Sequence, residues 1–143
     1  MSNNQFKRGE LYSVINGMAT TAVARRLQKN FRNAGLEITI EQWSVLYHLW
    51  KEDGLSQQEL GNRTFRDKAS ITRLIDNIEK LGLVERIASK DDRRVNMVYL
   101  TDAAKPLQEA TYNIANQTMN EALQGISKEE IEIVKSVFQR VYE

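Results

Sequence analysis

Cysteine is absent from this chain of 143 residues, and histidine occurs only once, as His48. Without cysteine there is no disulfide, no thiolate metal site and no cysteine nucleophile. A single histidine leaves too few ligands for a zinc site and no partner for an imidazole relay. We therefore predict that the protein uses no metal and no other cofactor.

Long apolar runs are also lacking. No stretch approaches the about 20 apolar residues that span a bilayer, and the segment MSNNQFKRGE at the start lacks the apolar region of a secretory signal. The GxGxxG, HExxH and GxSxG patterns of common enzyme sites do not occur either. These absences predict a cytoplasmic protein that has no membrane partner and is not an enzyme.

The residues that are present fit one globular domain over 1–143. Apolar residues make up 41% of the sequence and charged residues 27%, and Pro106 is the single proline, so no linker is apparent. The net charge is only +1, but residues 63–94 carry nine basic and six acidic side chains, and residues 1–35 carry six and one. Such an excess indicates a nucleic-acid partner only where the fold gathers it on one surface.

Helical periodicity predicts most of the secondary structure. Apolar residues recur at a period near 3.6 in six segments, while two short segments rich in β-branched and aromatic residues flank a charged loop, which is typical of a β-hairpin. Gly82 is placed to end a helix. The predicted helices span 10–33, 40–51, 57–63, 67–81, 101–123 and 127 onward, and the predicted strands span 84–89 and 96–100.

Capping residues support these helix starts. Asp67 and the pair Thr101-Asp102 are predicted N-caps. Two capping boxes are predicted, one in which Ser56 accepts from the Glu59 amide and the Glu59 side chain reaches back, and one that opens the last helix at Ser127. The apolar residues of that last helix are expected to face inward: Ile131, Val134, Phe138 and Val141.

A short capped helix, a tight connection, a second amphipathic helix and a β-hairpin make a winged helix-turn-helix. The expected fold class is therefore all-α with a small β-hairpin wing. In such a unit, the N-terminal residues of the second helix meet base edges in the major groove of DNA. The side chains expected to be exposed there are Lys68, Ser70, Thr72 and Arg73, and Arg66 just before the helix is placed to contact the DNA backbone.

The loop between the two predicted strands, residues 90–94, supplies a second cationic element. Arginine is favoured in a narrow minor groove, where negative potential is concentrated, and Arg93 and Arg94 lie at the loop tip. Asp92 can hold the Arg94 guanidinium by a bidentate pair, and Lys90 is placed near a phosphate. Which arginine enters the groove stays open, because the two point in opposite directions if the backbone is extended.

Two segments of the chain resemble the MarR (multiple antibiotic resistance regulator) family of bacterial transcription regulators. The family's wing carries the run Asp-x-Arg-x-x-x-aliphatic-x-Leu-Thr, and this chain has DRRVNMVYLT from Asp92 to Thr101. The segment SITRLIDNIEKLGLVER matches the family's pattern for the second helix and the strand after it. The similarity extends over essentially the whole chain in element order and length. The matching residues of the second segment include Arg73, Leu74, Leu81 and Gly82.

The resemblance implies a homodimer in which residues 1–35 and 101–143 form the dimerisation helices and residues 36–100 form the winged lobe. Each lobe then contacts one half of a pseudo-palindromic operator in double-stranded DNA, with half-sites about 34–36 Å apart, and the protein acts as a repressor. Family members often bind a small aromatic ligand that weakens DNA binding, so an effector is implied whose binding residues are unknown.

The segment after the wing departs from the family. Where the family commonly has a glycine soon after Leu-Thr, this chain has TDAAKP. Pro106 therefore predicts a kinked or delayed start of the helix that follows the hairpin. The absence of cysteine excludes the oxidation-sensing mode of some members.

Three features have an alternative interpretation. The aromatic residues and histidine of the second helix line an effector pocket or, as we favour, belong to the core: Trp43, Tyr47, His48 and Trp50. The basic residues of the first helix either contact phosphates or form a solvated face, and the sequence favours neither interpretation: Arg25, Arg26, Lys29 and Arg32. As a whole, a winged domain that binds a protein instead of DNA is the alternative function, and it predicts an uncharged or acidic face.

Overall fold

A computed structural model describes the backbone of residues 2–143 and the side chains of residues 8–143. Over this range, helices surround one small sheet, and a π-helical turn (Val14–Met18) and a 3₁₀ turn (Asp102–Ala104) adjoin α-helices. The helices are α1 (Ser2–Ser13), α2 (Ala19–Asn33), α3 (Ile40–Lys51), α4 (Gln57–Arg63), α5 (Lys68–Lys80), α6 (Lys105–Ala122) and α7 (Lys128–Tyr142). The strands are β1 (Leu55–Ser56), β2 (Val84–Ala88) and β3 (Asn96–Leu100).

The sheet is antiparallel and has the strand order β1-β3-β2. The predicted hairpin of β2 and β3 is present, with Arg86 opposite Val98. Strand β1 lies on the other side of β3, with Leu55 opposite Val98. The sequence did not predict β1, because a segment of two residues is too short to show a period of two. The all-α fold with a small β wing is confirmed, with one strand more than expected.

The hydrophobic core lies in the lobe formed by α3, α4, α5 and the sheet. Buried apolar side chains from each of these elements pack into one cluster, which the end of α2 and the start of α6 complete. Helix α5 contributes three residues at helical spacing, so its opposite side is left to solvent. The buried residues are Phe31, Ile38, Val45, Leu46, Leu49, Leu55, Leu60, Ile71, Ile75, Ile78, Leu83, Val84, Val98 and Ala104.

Most of the predicted caps are present. The Asp67 side chain accepts from the Ser70 amide at 2.7 Å, and Ser127 forms the complete capping box. Ser56 accepts from the Glu59 amide at 3.1 Å, but the Glu59 carboxylate accepts from the Ser56 hydroxyl and does not reach the backbone, since Ser56 belongs to β1. The second half of that predicted capping box was therefore wrong.

Two predicted helix starts were also wrong. Helix α1 begins at Ser2 and not near Glu10, because its first turns have no apolar periodicity to reveal them. Thr101 makes no side-chain cap, since its hydroxyl donates to the Gly82 carbonyl at 2.5 Å. The long helix instead begins at Lys105 with Pro106 in its first turn, where the missing N–H is tolerated, so the predicted delay is confirmed.

Helices α2 and α6 pack on each other through polar as well as apolar groups. Thr111 and Thr118 of α6 are fully buried, and each hydroxyl donates to a carbonyl one turn earlier in its own helix. The Asn30 side chain donates to the Thr118 hydroxyl at 2.8 Å, and Arg26 lies 3.5 Å from Glu121. The contact therefore joins an N-terminal helix to a C-terminal helix through satisfied polar groups.

The last helix, α7, exposes its apolar residues to solvent within the chain. The expectation that these residues face inward was wrong, because this helix has no buried residue in the monomer. Apolar residues of α1 and the π-helical turn are exposed in the same way. The exposed residues are Leu11, Tyr12, Val14, Ile15 and Met18 near the N-terminus and Ile133, Val134, Val137, Phe138, Val141 and Tyr142 in α7.

None of the helices described between residues 2 and 143 is both long and apolar enough to cross a membrane.

Gly82 ends α5 in the left-handed conformation, with φ 75°, and the Leu83 amide donates to the Ile78 carbonyl at 3.1 Å. A Cβ at this position meets no atom within 4 Å, so the effect of a substitution is conformational and not steric. We expect Gly82→Ala to lower the free energy of unfolding by about 1 kcal/mol in urea denaturation.

Gly82→Asn is the matched control, because asparagine adopts this conformation more readily than alanine and should lose less stability. Equal stability of the alanine variant and the native protein would contradict the assignment.

Candidate nucleic-acid interface

Helices α4 and α5 form a helix-turn-helix with a tight connection. The Arg66 amide donates to the Gly61 carbonyl at 2.9 Å, and a Cβ at Gly61 would lie 3.2 Å from the Arg66 carbonyl oxygen. Phe65 adopts a positive φ of 54° in this turn, with 78% of the residue exposed. The chain therefore passes from α4 to α5 within a few residues, and the start of α5 lies beside α4.

The exposed side of α5 carries two of the predicted cations, Lys68 and Arg73. Ser70 and Thr72 were expected to be exposed as well, but both are half-buried. The Thr72 hydroxyl donates to the Lys68 carbonyl at 2.7 Å and accepts from Nε2 of Gln57 at 2.5 Å. The sequence did not reveal this engagement, because it depends on the packing of α4 on α5.

Arg66 lies half-buried just before α5. Its Nη1 donates to the Ser70 hydroxyl at 3.4 Å, and among the described residues its buried Nε has no hydrogen-bond partner. The guanidinium is therefore held at the start of α5 with donors left for a further acceptor.

The wing loop holds Arg94 by the predicted bidentate pair. Nε and Nη2 of Arg94 lie 3.2 and 3.3 Å from the two carboxylate oxygens of Asp92, and the Arg94 amide donates to the same carboxylate at 3.0 Å. These hydrogen bonds, the side-chain one first, lower the pKa of Asp92 below its ordinary value. The Arg94 side chain is 91% exposed, so it is oriented and still accessible.

Arg93 and Arg94 occupy a turn and not an extended strand. The expectation that their side chains point in opposite directions required an extended backbone, so it does not apply here. The Val95 amide donates to the Asp92 carbonyl at 2.9 Å and closes this turn. Arg93 and Lys90 are exposed, and neither forms an ion pair with a side chain of residues 8–143.

A cleft of about 690 Å³ separates the helix-turn-helix from the wing. Arg66 and Lys68 from one side and Arg94 from the other line it, together with polar side chains of α4. The structure thus brings these three predicted residues together on one concave surface. The other predicted residues do not line the cleft: Ser70, Thr72, Arg73, Lys90, Asp92 and Arg93.

Arg86 of β2 was missed by the sequence analysis, and only 16% of its side chain is exposed. Nη2 lies 2.7 Å from Asp76 and also donates to the Thr72 carbonyl at 3.1 Å, while Nη1 donates to Glu79 at 3.2 Å. Asp76 and Glu79 are three residues apart and therefore share a face of α5. That spacing, together with an arginine shortly after the helix, was the signal available in the sequence.

The aromatic residues of α3 pack on one another and on α6. Trp43 lies 6.5 Å from Tyr112 and 5.6 Å from Tyr47 between ring centroids, and Trp43 and Trp50 pack against the core. Burial, followed by the charges of Arg63 and Lys51, lowers the pKa of His48. This helix therefore presents a neutral histidine at neutral pH.

The residues that the structure describes include no group of three or more histidine, cysteine, aspartate or glutamate side chains able to hold a metal ion.

These features define a class of protein: a winged helix-turn-helix lobe with a cationic cleft, extended by long helices at both ends of the chain. Residues 38–95 match the model of the MarR family. Over this segment the chain is similar to the MarR family.

Known proteins of the same class are similar to this chain. The HTH-type transcriptional regulator TtmR of Methylorubrum extorquens strain PA1 is 36% identical over 92 residues, which are 63% of this chain and 47% of TtmR, so the match spans about half of that relative. A mutant MarR of E. coli complexed with operator DNA superposes with a TM-score of 0.85 at 21% identity, covering 96% of this chain and 98% of its own.

A third relative is BpsR of Bordetella bronchiseptica, solved to explain regulation of its DNA binding by 6-hydroxynicotinic acid. It has a TM-score of 0.80 at 20% identity and covers 87% of this chain and 88% of its own. The name of TtmR describes a transcriptional regulator, which is the class that the sequence predicts.

The pKa of Asp92 provides a test of the wing geometry. Because Arg94 stabilises the ionised carboxylate, the pair persists as pH falls below the ordinary aspartate value and is lost only when pH passes through the lowered pKa. We expect Arg94→Ala to raise the Asp92 pKa part of the way to its ordinary value, since the backbone hydrogen bond remains.

The measurement is a carboxyl-carbon NMR titration of both proteins. Lys90→Ala is the control and should leave the titration midpoint of Asp92 close to that of the native protein. An unchanged midpoint in Arg94→Ala would contradict the pair.

Proposed function

We propose that this protein is a transcription regulator, acting as a repressor, that binds double-stranded DNA as a homodimer on a pseudo-palindromic operator. The observation that carries the proposal is the cleft in which Arg66 and Lys68 of the helix-turn-helix face Arg94 of the wing. Cations on both sides of one concave surface match a duplex, whose phosphates line the rims of its grooves.

In this proposal, α5 enters the major groove and the wing enters the adjacent minor groove. Lys68 and Arg73 meet base edges or phosphates, because both are exposed at the N-terminal half of α5. Arg94 enters the minor groove with its guanidinium held by Asp92. Arg66 contacts the backbone beside Ser70.

The remaining cations of the wing, Lys90 and Arg93, serve as phosphate contacts, since both are exposed. Thr72 supports the helix instead of contacting a base through its hydroxyl, because that hydroxyl already donates and accepts within the protein. The alternative function, in which the winged domain binds a protein instead of DNA, predicts an acidic or uncharged face. The cleft is cationic, so this alternative is not favoured.

Dimerisation is supported by the exposed apolar faces of α1, the π-helical turn and α7. Met18 and Val141 are 72% and 70% exposed in the single chain. Exposed apolar surface of this extent on two terminal helices is typical of a protein interface. We therefore propose that residues 1–35 and 101–143 form the dimer and that residues 36–100 form the DNA-binding lobe.

A small aromatic effector is part of the proposal. BpsR has the same fold, and its DNA binding is regulated by 6-hydroxynicotinic acid, a small aromatic acid. In this chain the buried Nε1 of Trp43 has no hydrogen-bond partner among the described residues, at the place where α3 meets α6. An effector releases DNA only if it binds better to the lobe arrangement that does not fit the operator.

The proposed location of the protein is the cytoplasm.

Selection of bound sequences from random duplex DNA tests the function directly. We expect an enriched palindrome with half-sites about one helical turn apart and an affinity that falls steeply with salt, because phosphate contacts release counterions. No enrichment, together with no binding at low salt, would contradict DNA recognition.

Arg94→Ala is expected to weaken binding to the selected operator by about tenfold or more, since it removes the minor-groove contact. The measurement is a fluorescence-anisotropy titration at fixed salt. Lys128→Ala, at the exposed start of α7, is the charge-matched control and should bind as the native protein does. Unchanged affinity of the Arg94 variant would remove the wing from the interface.

The dimer is tested by placing a charge in the exposed apolar face of α7. We expect Val137→Asp to give a monomer in sedimentation equilibrium, because an aspartate is desolvated in the apolar interface. Far-UV circular dichroism should still show the folded lobe, whose core contains no residue of α7. A dimer of unchanged affinity would contradict the proposed interface.

A further inference from the structure

Arg86 connects the wing to α5 and α4 through one guanidinium. Nη1 and Nη2 reach the carboxylates of Glu79 and Asp76 in α5, and Nη2 also donates to the Thr72 carbonyl. Nε donates to Oε1 of Gln57, the first residue of α4, at 3.2 Å. The Arg86 amide donates to Glu79 at 3.1 Å, so backbone and side chain of β2 both hold this helix.

Gln57 extends the connection to the part of α5 that faces DNA in the proposed function. Its Oε1 accepts from Arg86, and its Nε2 donates to the Thr72 hydroxyl at 2.5 Å. Thr72 is therefore held at its hydroxyl by Gln57 and at its carbonyl by Arg86. Arg73, the next residue, projects from a backbone that the wing strand itself fixes.

The same strand carries the other DNA contact. Arg86 pairs with Val98 across the hairpin, and Arg94 lies in the loop that joins the two strands. Strand β1 supports β3 at Leu55 and Ser56, and a hairpin of this size is marginally stable alone, so the direction of the wing depends on this pairing and on the contacts of Arg86. The contacts of Arg86 therefore connect the hairpin that carries the Arg94 guanidinium to the exposed face of α5.

We propose that Arg86, acting through Gln57 and Thr72, is a positioning residue that sets the angle between the wing and α5, so that one duplex engages both. The inference rests on the proposed function. Arg86 itself does not contact DNA, because its side chain is only 16% exposed and all three guanidinium nitrogens donate to protein groups.

Arginine is required at this position and lysine does not replace it. The planar guanidinium addresses four partners in fixed directions, whereas an ammonium is a single point charge on a flexible stem. A charge-conserving substitution therefore separates a geometric role from an electrostatic one.

A double-mutant cycle between Arg86 and Arg94 tests the proposal, with operator affinity measured by anisotropy. In the native background, Arg94→Ala is expected to weaken operator binding by about tenfold or more. In the Arg86→Met background the wing is no longer aligned with α5, and we expect Arg94→Ala to weaken binding by about threefold or less. If Arg86 and Arg94 acted independently, Arg94→Ala would weaken operator binding by the same factor in both backgrounds.

Salt dependence provides the second readout. Each phosphate contact that is lost lowers the slope of log affinity against log salt by about 1. A misaligned wing loses its phosphate contacts whether or not residue 86 is charged, so Arg86→Lys is expected to lower this slope as Arg86→Met does. We therefore expect Arg86→Lys to retain the charge and still reduce the Arg94 factor. A native Arg94 factor in Arg86→Lys would overturn the proposal, since charge alone would then suffice.

Arg63→Met is the matched control. This arginine lies in the same lobe and pairs with Glu52 at 2.7 Å, but its partners lie just after α3 and in α4 and not in the wing. The Arg94 factor should remain at its native value in this background. If Arg86→Met fails to fold, Gln57→Ala replaces it in the cycle, because it removes the bridge to Thr72 without touching a core residue.

The outcomes separate the two proposals. Equal Arg94 factors in the native, Arg86→Met and Gln57→Ala backgrounds would overturn the positioning role and leave the proposed function intact. Absence of binding by the native protein to every selected duplex would overturn the proposed function and this inference with it.

Discussion

The packing of α5 on α3, α4 and the small sheet is the constraint on which the rest of the molecule depends. Ile71, Ile75 and Ile78 are buried to 2% or less, so the helix has one possible rotation about its axis. Because the apolar stripe faces inward, Lys68 and Arg73 face outward on the opposite side. Burial of three isoleucine side chains, each contributing about 1.5–3 kcal/mol, thus determines which cations face outward for the proposed contact with a duplex.

The terminal helices follow a different principle. Helices α2 and α6 contact each other through buried threonine hydroxyls and Asn30, all of which have partners, so this contact is directional. Their remaining apolar faces stay exposed within one chain. The lobe is therefore complete in a single chain, whereas the distance between two lobes is a property of the proposed dimer. A ligand that acts on this distance need not alter the lobe itself.

Local rules predicted most of this fold from the sequence. Periodicity located the helices of the lobe, and the caps at Asp67 and Ser127 follow from contacts over three residues. The Asp92–Arg94 pair is equally local, since the two residues are two apart. Strand β1 and the engagement of Thr101 by Gly82 were not predictable, because each depends on residues that are distant in sequence and adjacent only after folding.

The same distinction explains how the candidate site differs from its prediction. A hydroxyl on an exposed helix face appears available for a base, but at Thr72 its donor goes to the Lys68 carbonyl and it also accepts from Gln57. Such side-chain to backbone bonds compete with any external partner. The open donors that remain on this face belong to long cationic side chains, which favour guanine and phosphate. In the proposed function, recognition by α5 therefore depends on where the backbone directs Lys68 and Arg73, and hence on the contacts that hold that backbone to the wing.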